Sequence, residues 1–213
     1  MLSISTFLQW CLEHLNYWTI TLLMTIESSF IPFPSEIVVP PAAYHAASTG
    51  EINLFLIILS ATVGACLGAL INYFLALWIG KPLVYKFADS KIGHLCLLDG
   101  SKVQKAEEYF NQHGAISTFV GRLIPAIRQL ISIPAGLAKM SLHKFIGFTA
   151  LGAGIWNVVL ALLGYYLERV VPEEELISTV TEYSHEIGYT IAAVVFAALA
   201  FIIIRNIIRK RKK

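Results

Sequence analysis

Two long stretches of this chain contain no charged residue, and they set the terms on which it can fold. Residues 52–80 make 29 consecutive positions without Asp, Glu, Lys or Arg, and residues 145–167 make 23. About 20 apolar residues suffice to cross the hydrocarbon core of a bilayer as a helix. With 56% of its 213 residues hydrophobic and only 14% charged, the rest of the chain has too little polar surface to bury both runs inside a water-soluble domain. The expected class is an all-α integral membrane protein. A third uncharged run over 187–204 predicts a C-terminal transmembrane helix over 187–208. No basic region precedes the first apolar residues, so a cleaved signal is not expected.

The distribution of charge says more than its sum of +2. Residues 1–80 carry no Lys or Arg, so all 16 basic residues lie beyond them. Five fall in 81–105, two in 139–144 and six in 205–213. The positive-inside rule places these three segments, and with them the C-terminus, in the cytoplasm, and the acidic stretch 172–186 outside.

Threading the chain under that rule leaves two apolar segments that must return to the side they came from. One is 17–47, interrupted by Pro32, Pro34, Pro40 and Pro41; the other is 115–138, interrupted by Gly121, Pro125, Pro134 and Gly136. Proline and glycine end or kink helices within a membrane, so both segments are expected to be re-entrant hairpins. The hairpins share a spacing. Ile31 and Pro32 are followed after eight residues by Pro41 and Ala42, and 93 positions later Ile124 and Pro125 are followed after eight by Pro134 and Ala135. Each hairpin precedes one long uncharged helix, which predicts an inverted repeat of hairpin plus transmembrane helix. The expected organisation is a single membrane domain over 1–213. It comprises an amphipathic N-terminal segment (1–16), repeat one (17–80), a cytoplasmic loop with a surface amphipathic helix (81–113), repeat two (114–168) and the C-terminal helix. Ser60, Gly64 and Gly68 offer a small-residue face for close helix packing. Asn72 and Asn157 are expected to hydrogen-bond between helices.

Charges inside the hairpins point to function, because an Arg or Asp at the centre of a span costs roughly 2.5–3.5 kcal/mol even on the lenient insertion scale. Glu27 and Glu36 flank Pro32 and Pro34, whereas Arg122 and Arg128 flank Pro125, with Gly121 just before. One hairpin supplies acids and the other bases. If the tips meet, the four groups neutralise one another. A buried ion pair is often no better than an apolar replacement, so retaining four such groups calls for a functional reason. The plainer reading is interfacial snorkelling, or a structural clasp. A guanidinium offers a lipid phosphate a planar, permanently charged fork, and broken helices add free backbone N–H groups. Cys11, Cys66 and Cys96 match neither a disulfide framework nor a metal spacing, and the six histidines show no metal spacing either. Neither a catalytic residue, a metal nor a cofactor is expected, since no nucleophile with a base and no metal cluster is spelled out.

The pattern E-x4-P-x-P-x-E, followed about 80 residues later by F-x-G-R-x2-P-x2-R, resembles the DedA family, also called SNARE-associated or VTT-domain proteins. The stretch from Gly64 to Phe74, the Gly80, Lys81, Pro82 that closes that run, and Pro134 to Met140 are similar to family sequence as well. The resemblance covers roughly residues 17–168. It implies two facing re-entrant hairpins and lipid translocation across a bacterial cytoplasmic membrane, with undecaprenyl phosphate or a phospholipid as cargo. Glu27, Pro32, Pro34, Glu36, Gly121, Arg122, Pro125 and Arg128 are the implied site. Many members carry a further acid soon after the first motif, where this chain offers only Glu51. Coupling to protons and self-association stay open, and no nucleic-acid partner is expected. The competing readings are a proton-coupled carrier of a small solute and a non-transporting membrane scaffold.

Overall fold

The computed structural model of the chain describes residues 14–29, 35–90, 100–124 and 127–172, with scattered positions between 175 and 193. The segment expected over 1–16 and the helix expected over 187–208 lie almost wholly outside these residues, as do Pro32, Pro34 and Pro125. The described residues contain six α-helices: α1 (Tyr17–Glu27), α2 (Val39–Thr49), α3 (Leu54–Ala88), α4 (Gly100–Leu123), α5 (Ser132–Leu137) and α6 (Leu142–Leu167). A 3-10 turn, Ser35–Ile37, precedes α2.

Two of them, Leu54–Leu83 with 30 residues and Leu142–Leu167 with 26, are long and apolar enough to cross a membrane. At 1.5 Å per residue each exceeds the roughly 30 Å of a hydrocarbon core. Their side chains are arranged for lipid. On α3 the large residues Leu56, Leu59, Val63, Leu67, Ile71, Phe74 and Trp78 form an exposed stripe at helical spacing, while the buried face holds Ala61, Ala65, Ala69 and Ala76. Large apolar groups outside and small residues at the helix contacts are the pattern of a membrane protein.

Local chemistry sets the helix ends. The Asn16 side chain accepts from the N–H groups of Trp18 and Thr19, and the Thr19 hydroxyl accepts from the Asn16 N–H, which caps α1 at both orphan donors. Asn53 Oδ1 does the same for α3 through the N–H of Phe55 at 2.9 Å. Gly80 takes φ 71 and ψ 167, a conformation essentially confined to glycine, and divides α3 just before Lys81 and Pro82. His113 (φ −128, ψ 18) divides α4, at the end of the 81–113 segment in which an amphipathic helix is expected and just before the apolar stretch that begins at 115.

Some expected interruptions have another role. Pro40 and Pro41 do not break the first hairpin; they stand in the opening turn of α2, where a missing N–H costs nothing. Pro134 likewise stands in the first turn of α5. Gly121 and Gly136 lie inside helices and give room instead, Gly121 to the Ile131 side chain and Gly136 to the Tyr73 carbonyl.

Both ends of each hairpin stand beside the start of the long helix that follows it. The Asn53 N–H donates to Tyr17 Oη at 3.0 Å, and α2 ends at Thr49, a few residues before α3. In the second half the Thr118 hydroxyl lies 3.6 Å from the sulfur of Met140, which just precedes α6. Along α1 and α3, Thr21 meets Gly64 and Thr25 meets Gly68, so the two helices run the same way. The long helices run oppositely: Thr62 on α3 meets Asn157, and Tyr73 further along stacks on Phe145 at the opposite end of α6. The first arm of each hairpin packs on its own long helix, α1 on α3 and α4 on α6, while the second arm packs on the other half's, α2 on α6 and α5 on α3.

Candidate functional site

The described residues nearest the breaks of the two proline-interrupted segments, Glu27, Ser28 and Ser29 with the turn at Ser35–Ile37 in the first and residues 127–131 in the second, here called the tips, meet beside the middle of α3, and small side chains make the approach close. A Cβ on Gly68 would collide with the Thr25 carbonyl and with Ser28, so α1 delivers Glu27 against α3 only because position 68 is glycine. Asn72, one turn on, donates through Nδ2 to the carbonyl of Ser28 at 3.2 Å and to that of Gln129 at 3.4 Å. One amide thus holds both tips. Gln129 Nε2 closes the seam by donating to the Glu27 carbonyl at 3.2 Å. Asn157, on α6, donates to the Thr62 hydroxyl at 3.2 Å, the second interhelical bond the sequence suggested.

Glu27, Glu36 and Arg128 come together as expected. Arg128 Nη2 stands 2.9 Å from Glu27 Oε1 and 3.9 Å from Glu36 Oε2, with Glu27 almost entirely buried. The Glu27 contact is close but undirected, since no N–H points along it and Oε1 has no hydrogen bond. The same nitrogen donates to Ser35 Oγ at 2.9 Å. The Ser28 hydroxyl donates to Glu27 Oε2 at 2.6 Å, and the Arg128 guanidinium lies over the Trp156 ring at 5.6 Å, within cation–π range.

Arg122 departs from the expected four-way neutralisation. It is buried on α4, its Nη2 donates to Ser132 Oγ at 2.8 Å, and among the described residues no carboxylate forms an ion pair with it. The Arg122 stem lies against Gly152 of α6, where an added Cβ would fall 2.6 Å from Arg122 Cβ. Both acids are taken up by Arg128. Gly121, next to Arg122, packs on Ile131. Ser28, Ser35, Gln129, Ser132 and Trp156 are site residues that sequence patterns did not single out. Glu51 is exposed at the far end of the first hairpin, away from the cluster. A cavity of about 240 Å³ adjoins the tips, with Ser29, Asn72 and Gln129 as its polar wall and Leu75, Ile79 and Leu130 as its apolar rim. Those rim residues belong to the exposed apolar surface.

Among the described residues the regular structure is helical, with two helices long and apolar enough to cross a membrane and a buried cluster of opposite charges, the make-up of a membrane transport protein. Residues 33–166 match the VTT domain, and the chain belongs to that family, the DedA family of membrane proteins. It is 32% identical over 200 residues to undecaprenyl phosphate transporter A of Bacillus subtilis, covering 94% of this chain and 93% of that one. It is 32% identical over 195 residues to an alkaline phosphatase-like protein of Lactococcus lactis subsp. lactis, covering 92% and 89%. Protein DedA of Escherichia coli is 23% identical over 145 residues, covering 68% and 63%. No solved structure matches the chain. The family and the relative named as a transporter point to a transporter rather than an enzyme.

Proposed function

We propose that the chain is a lipid translocase that carries a phosphate-bearing lipid, of the undecaprenyl phosphate or phospholipid class, across a bacterial cytoplasmic membrane. The observation that carries this reading is the buried cluster of Glu27, Glu36 and Arg128, with a second buried cation, Arg122, held apart on Ser132, beside a cavity that their neighbours Ser29 and Gln129 line and whose apolar rim is exposed. A translocase must offer polar partners to a headgroup within low dielectric while leaving the tails in hydrocarbon, and a polar cluster with an apolar side opening meets both needs. The name of the Bacillus subtilis relative supports phosphate as the headgroup chemistry.

In this reading each hairpin is re-entrant and the halves 17–80 and 114–168 form an inverted repeat, with the basic loops and C-terminus in the cytoplasm. The oppositely running long helices and the reciprocal packing of the hairpin arms support it. So does the Ser35 to Arg128 bond: its partners lie 93 positions apart, the offset of the shared proline spacing, as two equivalent positions beside a pseudo-two-fold axis would. Purified protein in liposomes tests the function. Fluorescent polyprenyl phosphate or phospholipid placed in one leaflet is expected to equilibrate faster than in protein-free vesicles. Equal rates for every lipid, together with solute or proton flux, would favour the small-solute carrier instead.

A further inference from the structure

The two arginines are not in equivalent surroundings. Arg128 is compensated several times over, by Glu27, Glu36, Ser35 and the face of Trp156. Arg122 is 3% exposed, its one hydrogen bond goes to a neutral hydroxyl, and its Nε has no partner among the described residues. A buried cation without a counter-charge is strongly destabilising unless an anion joins it. One turn beyond Gly152 on the same helix stands Trp156, also 3% exposed, whose indole Nε1 likewise has no acceptor. Buried donors are nearly always paired; the Nε of Arg128 is unpaired too, so three N–H groups, on Arg122, Arg128 and Trp156, lack an acceptor among the described residues, and of the two cations Arg122 is the one with no carboxylate in ion-pair contact.

We infer that the two arginines have separate roles. Arg122, with the Ser132 hydroxyl and the Trp156 N–H, receives the phosphate, while Arg128 is the clasp that holds the hairpin tips together through Glu27, Glu36 and Ser35. This rests on the lipid-phosphate reading and names its receiving group. Phosphate presents acceptor oxygens that can take the Arg122 Nε–H, the second guanidinium nitrogen and the indole N–H together. The clasp then need not open for the headgroup to bind, and the carboxylates on Arg128 keep it from competing for the anion.

The test uses the full chain in lipid nanodiscs, titrated with a short-chain polyprenyl monophosphate, with the matching alcohol and with inorganic phosphate. The monophosphate is expected to bind and the alcohol not. Arg122→Lys, Ser132→Ala and Trp156→Phe are each expected to weaken binding about tenfold, the loss of one hydrogen bond to a charged group. Phe keeps an aromatic face beneath Arg128 but leaves a small cavity where the indole was buried, so Trp156→Phe should lower the unfolding temperature modestly and stay folded throughout the titration. Arg128→Lys should instead lower that temperature more than it lowers affinity. Wild-type affinity in both Ser132→Ala and Trp156→Phe overturns the division of roles, as does an Arg128→Lys variant that loses binding like Arg122→Lys at unchanged stability. Either result leaves the lipid reading standing. Inorganic phosphate binding as tightly as the lipid, with the same dependence on Arg122, keeps the receiving group but replaces the lipid by a free anion. No binding of any probe to the wild type overturns both.

Discussion

Arg128 makes its polar contacts through one nitrogen, Nη2, shared among Glu27, Glu36 and Ser35. Removing the guanidinium leaves a buried carboxylate on each side of the first hairpin's tip without a cation. Arg128→Ala is therefore expected to lower stability by about 3–5 kcal/mol, the usual result of breaking a buried pair from one side. Thermal unfolding in detergent measures it. Replacing Glu27 and Glu36 by Gln in the same chain should recover much of the loss, because the uncompensated charges are then gone; no recovery would mean that the arginine stem, not its charge, holds the tips. The four charges were legible in the sequence because ionised groups are rare in such apolar segments. Their pairing was not. Which arginine meets the acids is set by tertiary placement: Arg122 packs its stem on Gly152 of α6, while Arg128 stands beside Glu27. Ser35 and Ser132 leave no periodic trace, although the 93-residue offset already related Ser35 to Arg128. A tryptophan within the uncharged run 145–167 was the available signal for Trp156.

At the level of the elements, α3 depends on glycine for contact at Gly68 and for direction at Gly80. Gly68→Val pushes a branched side chain into the Thr25 carbonyl and Ser28. A loss of about 1–3 kcal/mol is expected from such overpacking, together with weaker protection of Asn72 from the α1 side, and wild-type melting would show that α1 is held elsewhere. Gly80→Ala should cost a similar amount, about 1–3 kcal/mol, because φ 71 with ψ 167 is strained for any residue with a Cβ; unaltered melting would mean the break can relax. Lys139 offers the opposite sign. Its φ of 50 ends α5, with the Met140 N–H on the Ala135 carbonyl and the Lys139 N–H on that of Gly136. Lys139→Gly is expected to stabilise by about 1 kcal/mol, since glycine is the usual residue in this closure, and a lower melting temperature would sink the idea. Long helices and the break before Lys81 were readable because they rest on uninterrupted composition and on glycine. The prolines misled at Pro40, Pro41 and Pro134, since a proline that starts a helix and one that ends it are spelled alike.

For the whole molecule, the re-entrant arrangement has a direct check. With Cys11, Cys66 and Cys96 replaced, a single cysteine at Ser48, exposed at the foot of the first hairpin, is expected to react with an impermeant reagent from outside the cell. One at Gln104, exposed on α4, should react only after the cytoplasmic face is opened. Labelling of both from the same side would refute the inverted repeat. The reciprocal bracing of the halves also bears on how the protein is made. α2 leans on α6, and the Tyr44 hydroxyl donates to a carbonyl 127 positions later, at Val171. Glu27 waits in the same way for Arg128, which is synthesised about 100 residues after it. During synthesis the first half therefore lacks its counter-charge until Arg128 is made and its packing partner until α6 follows, so its final folding comes after its own insertion into the membrane.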